Sequence, residues 1–201
     1  MLYLVINMKE YVQNTWRVTP TNTPNIIRYC SKCNRKSEYY CSEKFRVNAN
    51  GARVDIWLIY KCRKCDNTLK LTIYKGISPH ELPIGLFDLF VMNDKSLAWE
   101  YAFNKQFLKQ NACTPDYAGV DYAVEGCEGF SGRAQIIHIQ CPYVFDLKLV
   151  ALLAKVLGIS VGQVKKYVEC GVLSAAPDIN IARHRIKGDV VVYAKPVHTS
   201  H

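Results

Sequence analysis

The chain has 201 residues, 49% hydrophobic and 21% charged, a balance that excludes a disordered polymer and leaves room for one domain or two small ones. A formal net charge of +9 favours a polyanionic partner, because each Lys or Arg set against a phosphate releases counterions. No run approaches the roughly 18–20 apolar residues that span a bilayer, and nine cysteines, an odd number, point to reduced thiols in a cytoplasmic protein and away from a disulfide framework.

In chain order, residues 1–7 are apolar but too short for a secretory signal, and they lack its basic start and small-residue cleavage site. Residues 25–29, 38–47, 54–60 and 68–74 are rich in Ile, Val, Tyr, Phe and Trp and are expected as strands. Asn48-Ala49-Asn50-Gly51 lies between the second and third of these. Asn-Gly accepts positive φ, so 38–47 and 54–60 are expected to pair as a hairpin.

Cys30-Ser31-Lys32-Cys33 and Cys62-Arg63-Lys64-Cys65 flank that hairpin. Two intervening residues let a tight turn aim both sulfurs at one ion. Two such turns supply four thiolates at about 2.3 Å in a tetrahedron, which zinc accepts readily. Lys32, Arg63 and Lys64 stand beside the ligands to offset the local charge, near −2, of four thiolates around a divalent cation. A closed four-sulfur set leaves no position for substrate, so the expected cofactor is structural zinc on Cys30, Cys33, Cys62 and Cys65. Iron in the same cage, two disulfides, and redox-type thiol pairs are the alternatives. The pattern resembles a zinc ribbon over residues 28–71. Cys41, inside the same stretch, reads as a small buried hydrophobe.

Between residues 78 and 111 the period becomes helical. Leu97, Ala98, Tyr101, Ala102, Phe107 and Leu108 form one apolar face after the capping pair Asn93-Asp94, and a supporting helix packed on the ribbon is expected. Residues 111–133, rich in Gly, Asp, Pro and Tyr, read as an irregular connection, with a boundary near Gly132. Cys113, Asp116, Asp121, Glu125, Cys127, His138 and Cys141 are scattered here, and no catalytic constellation is recognisable among them. His138, within 135–140, reads as a strand residue.

Residues 146–157 carry Leu149, Leu152, Leu153, Val156 and Leu157 and stop at Gly158; Ser160-Val161-Gly162-Gln163 then reads as a capping box opening a second helix that ends at Gly171. Val190-Val191-Val192-Tyr193 closes the chain as a strand. Leu157-Gly158-Ile159-Ser160, Gln163-Val164-Lys165-Lys166-Tyr167-Val168, Gly171 and Ile186-Lys187-Gly188-Asp189-Val190-Val191 are similar in order and spacing to the αL RNA-binding domain family. That resemblance implies a structured RNA partner, ribosomal or transfer RNA, held through backbone and shape. Carried over by position, Lys148, Lys165, Lys166, Arg183, Arg185 and Lys187 become its phosphate contacts. The chain departs from the family pattern at Val150, Val161 and Val172 and over residues 174–180.

The helix pair also looks like a helix-turn-helix, although Gln163, Lys165, Lys166 and Tyr167 are a poor base-reading set for duplex DNA. Most of the chain, from Trp16-Arg17-Val18-Thr19-Pro20 through the second Cys-x-x-Cys to the helix pair, resembles a bacterial family known as domain of unknown function 1062. The resemblance supplies no activity.

The expected fold class is α+β: a zinc-ribbon-like antiparallel sheet with a supporting helix (14–111), a connecting segment (112–133), and an αL-like helix pair with short strands (134–197). The expected function is non-enzymatic binding of structured RNA. A DNA-binding regulator, a zinc-stapled protein-interaction adaptor and an unrecognised enzyme are the rivals.

Overall fold

A computed structural model of the protein describes residues 11–127, 133–176 and 179–196. The apolar run 1–7, the boundary at Gly132 and residue 197 lie outside them. The fold is α+β, with two five-stranded sheets. It divides into two units, Thr21–Asp121 and a second made of the chain up to Pro20 together with the chain from Tyr122 onward.

The split unit begins with β1 (Val12–Pro20), whose side chains alternate in burial as a strand with one face in the core requires. β1 pairs antiparallel with β7 (Tyr122–Glu125) and parallel with β8 (Gln135–Gln140). β10 (Val190–Ala194) and β9 (Leu173–Ala175) complete the order β7-β1-β8-β10-β9. The whole Thr21–Asp121 unit is thus inserted where a hairpin tip joining β1 to β7 would lie. This differs from the expected 14–111 and 112–133 division at both ends. β1 joins the back half because its partner Gln135 lies far along the chain, and a parallel pair needs a long crossover that no local signal announces. Residues 111–133 are not wholly irregular, since they supply β7 and, in the other unit, the short strand β6 (Thr114–Asp116).

The expected helix pair is present as α4 (Leu149–Leu157) and α5 (Val161–Glu169). Gly158 caps α4 at φ +65, and the Ser160 side chain accepts from the Gln163 amide at 3.1 Å to open α5. Leu149, Leu152, Leu153 and Val164 are buried, as are Trp16, Ile137, Ile139 and Val192 of the sheet. His138 lies in β8, exposed, with its Nε2 2.8 Å from Gln13 Oε1.

The inserted unit is an antiparallel sheet in the order β5-β4-β3-β2-β6. Its strands are β2 (Asn25–Cys30), β3 (Arg35–Asn50), β4 (Arg53–Cys62), β5 (Thr68–Ile77) and β6 (Thr114–Asp116). β3 and β4 form the expected hairpin, with Asn50 paired to Arg53 and Gly51 at φ +60, the positive φ a two-residue turn demands. Ser42 and Glu43 are extra residues bulged out of β3, and because there are two of them the in-and-out register survives. Tyr39, Cys41, Phe45, Ile56, Leu58 and Tyr60 all face one core.

The single supporting helix expected after residue 78 is three short ones: α1 (Leu86–Met92), α2 (Lys95–Phe103) and α3 (Lys105–Gln110). Asparagine and aspartate make the breaks. Asn93 adopts φ +57 and ends α1, Asp94 accepts from the Leu97 amide at 2.8 Å, and Asn104 accepts from Phe107 at 3.0 Å. Asn93 Oδ1 also accepts from the Phe45 amide at 2.7 Å, tying α1 to the β3 bulge. Phe90, Leu97, Ala98, Ala102 and Leu108 fill the core against the sheet. The opposite sheet face stays outward, carrying Ile27, Tyr29, Lys36, Glu38, Tyr40, Trp57 and Lys61, none of them fully buried.

Candidate metal centre

Two turns of the inserted unit bring the four cysteines together. Cys30 ends β2 and Cys33 sits in the turn before β3; Cys62 ends β4 and Cys65 sits in the turn before β5. Each turn closes with the residue after its second cysteine at positive φ, Asn34 at +53 and Asp66 at +56. Asn and Asp tolerate this conformation through their short polar side chains. The sequence signal for both was present, directly after each Cys-x-x-Cys. The Cys33 amide points at Cys30 Sγ at 3.4 Å, and the second turn is fixed by Asp66 N–H to Cys62 O and Cys62 N–H to Asn67 O, both 2.9 Å.

All four sulfurs lie within 4.8 Å of one another. Cys30 and Cys65 are 3.6 Å apart and Cys33 and Cys62 3.9 Å. A tetrahedron with edges of that length places its centre about 2.2–2.4 Å from each sulfur, the span of zinc–thiolate bonds. Four soft donors at this separation fit a divalent metal, and the cluster can hold one. Cys30 and Cys62 are buried and Cys33 and Cys65 partly so. Cys41 is buried in β3 outside the set, as read from sequence.

Without a cation the surroundings split the thiols, lowering Cys30 and Cys62 and raising Cys33. The Tyr39 hydroxyl hydrogen-bonds the Cys30 sulfur and, with the Cys33 amide, holds that thiol down to about 6. The neighbouring Cys65 sulfur, burial and then Cys30 push Cys33 up to about 12. Burial raises Cys62, and the backbone amides of Lys64 and Cys65 more than offset it, leaving that thiol below its ordinary value. Burial, and then the bond to Cys30, drives the Tyr39 hydroxyl upward, so Tyr39 stays a donor. Tyr39 was not singled out from sequence. It sits on the inward face of β3 opposite Cys62, which only strand register reveals.

Around the sulfurs, Lys61 pairs with Asp66 at 2.9 Å, and Arg63 lies 3.9 Å from Glu38 and donates to Asn25 Oδ1. Lys32 and Lys64 are exposed. Lys148, Lys165, Lys166, Arg183, Arg185 and Lys187 all belong to the split unit, and all are exposed. Arg185 is ion-paired to Asp146, and its backbone bridges to Lys148. The cysteines and acids weighed for catalysis are divided between the units: Cys113, Asp116 and Asp121 in one, Glu125, Cys127, His138 and Cys141 in the other. Cys113 is buried with the Arg28 guanidinium 3.6 Å from its sulfur, and Cys127 is exposed. Among the described residues no helix is long and apolar enough to cross a membrane.

Residues 47–179 match the model of the family described as Protein of unknown function (DUF1062), and the chain belongs to that family. The match begins within β3, after the first Cys-x-x-Cys. No curated protein and no solved structure matches the chain.

Proposed function

Membership in a family of unknown function assigns no activity, so from the chain's own residues we propose a zinc-stapled, non-enzymatic protein that binds structured RNA. The observation that carries the metal part is the group of four cysteine sulfurs within 4.8 Å of one another, with Cys30–Cys65 at 3.6 Å and Cys33–Cys62 at 3.9 Å. Cys30, Cys33, Cys62 and Cys65 would hold the ion, and it would lock the β2–β3 and β4–β5 turns together without an open coordination position for substrate. Soft thiolates favour zinc or iron over calcium or magnesium, and zinc is the choice for a site with a structural role.

The RNA part is supported by the net charge and by six exposed cations in the split unit, of which, among the described residues, only Arg185 is ion-paired. The order helix, helix, strand, strand through α4, α5, β9 and β10 is that of the αL resemblance, and the α5 surface offers lysines suited to phosphates more than to base edges.

Crosslinking the tagged protein in its own cells and sequencing attached RNA tests this reading. Recovery of a defined ribosomal or transfer RNA region, lost when Lys165, Lys166 and Arg183 are changed together to alanine, supports it. Arg183 is chosen over Arg185 because its head group carries no ion pair among the described residues. Recovery equal to that of the variant rejects RNA binding through these side chains. For the metal, well under one ion per chain in purified protein, with Cys30→Ser folding as well as wild type, rejects the staple.

A further inference from the structure

The outward face of the inserted sheet carries a pattern that neither the metal nor the split unit's cations explain. One face of β2, β3 and β4 packs on α1–α3, and the other presents aromatics interleaved with cations. Tyr29 is 56% exposed and stands directly across from Lys36 in the β2–β3 register. Tyr40, two positions beyond Glu38 on the same face, has the Arg63 guanidinium 5.8 Å from its ring centre. Trp57 has Lys70 at 5.0 Å. Tyr29 is the exposed ring and Tyr40 and Trp57 are half-buried, and apolar ring surface left open on a sheet costs hydrophobic free energy unless something covers it.

At Lys36, the residue across from Tyr29, opens a cleft of about 470 Å³ whose wall includes Arg35, Lys36, Arg63 and Lys64 against a single carboxylate, Glu38. Arg63 is held in place by Glu38 and by two contacts to Asn25 Oδ1 at 3.1 and 3.2 Å. Arg35, Lys36 and Lys64 form no ion pair among the described residues. Such a surplus of fixed positive charge attracts a polyanion, and a row of rings next to it suits one whose monomers also have flat π faces.

We propose that this face binds a single-stranded stretch of nucleic acid, its bases stacking on Tyr29, Tyr40 and Trp57 and its phosphates entering the Arg35/Lys36/Arg63/Lys64 cleft. The site lies wholly within Thr21–Asp121 and differs in residues and in ligand shape from the structured-RNA contacts proposed for α5. A base slides onto each ring in place of, or opposite, the cation already there. The backbone is followed by lysine and arginine without base-edge hydrogen bonds, so the site discriminates little among sequences.

The test is fluorescence anisotropy of a labelled oligouridylate, on the order of ten nucleotides long, against the full chain over a range of salt. Arg35→Ala/Lys36→Ala/Lys64→Ala is expected to weaken binding about tenfold or more, and to reduce the slope of log affinity against log salt by roughly 2, three lost phosphate contacts at about 0.7 each. Tyr29→Leu/Trp57→Leu is expected to lose about fivefold or more while keeping the wild-type salt slope. Metal content and melting temperature are measured on each variant. Lys36→Ala/Lys64→Ala, which removes two exposed cations without ion pairs, replaces the triple change if that one misfolds.

Wild-type affinity in the cation variants overturns the proposal. So does displacement of the oligonucleotide by inorganic polyphosphate at equal phosphate concentration, which would show that bases contribute nothing. The Lys165/Lys166/Arg183 variant is expected to keep oligouridylate binding, so loss of one site is read separately from loss of the other.

Discussion

Removing the metal should destabilise one unit and spare the other. Both turns that carry the sulfurs belong to Thr21–Asp121, and among the described residues the four-cysteine group draws no donor from the split unit. A site filled at a free metal concentration a thousand times its Kd adds about 4 kcal/mol to the folded state. A unit of roughly a hundred residues shifts by about 4–8 °C per kcal/mol, so chelation should lower its melting temperature by about 15–30 °C. The apo unit should still fold at room temperature, because Ile26, Tyr39, Ile56, Leu58, Tyr60, Leu71, Phe90 and Leu108 are almost wholly buried without help from the ion. Differential scanning calorimetry of the full chain, with and without chelator, should show one transition moving and one fixed, and Cys62→Ser should reproduce the chelated trace. A shift under about 3 °C would refute the staple, and both transitions moving equally would refute its confinement to the inserted unit.

Acidifying the protein from pH 7.5 toward pH 5 should release the metal, since protons compete for the thiolates; a colorimetric chelator follows it, and retention at pH 4 would contradict thiolate ligation. Asn34→Ala and Asp66→Ala should each destabilise the inserted unit by about 1 kcal/mol or more and the glycine variants by less, because both residues hold positive φ while their side chains also accept from Tyr29 and from Tyr40 and Lys61 respectively. Asn93→Ala should cost about 2–3 kcal/mol in urea unfolding, as it strands the Phe45 amide at the β3 bulge and places alanine at φ +57. Gly126→Ala should destabilise only the split unit, by about 2 kcal/mol or more: Gly126 has φ +72, and an added Cβ would sit 2.3 Å from the Thr15 carbonyl oxygen behind the β1–β7 pair.

Much of the local structure was legible because its causes are local. Asn50-Gly51 announces the β3–β4 turn, Gly158 and Ser160 mark the joint between α4 and α5, and the repeated Cys-x-x-Cys identifies four residues whose sulfurs do converge. Period-two apolar runs located β2 to β5, although β3 continues past its expected ends because pairing with β2 carries residues 35–37 and pairing with β4 carries residues 48–50. Asn93 and Asn104 are cap residues by type. Whether such a residue interrupts a helical pattern depends on what its side chain finds, and Asn93 finds the β3 bulge, which the linear sequence does not display.

The sequence by itself determined the turns, the caps, the identity of the metal-capable cysteines and the α+β class, since each depends on φ preferences and side-chain chemistry within a few residues. Only the tertiary structure decided that β1 lies parallel to β8, that a whole unit is inserted between β1 and β7, that Tyr39 reaches Cys30, and that Tyr29, Tyr40 and Trp57 share one outward face. Those arrangements join residues tens to more than a hundred positions apart. They are selected by which strand edges find partners and which apolar faces bury one another, a competition over the whole chain that no short window of sequence contains.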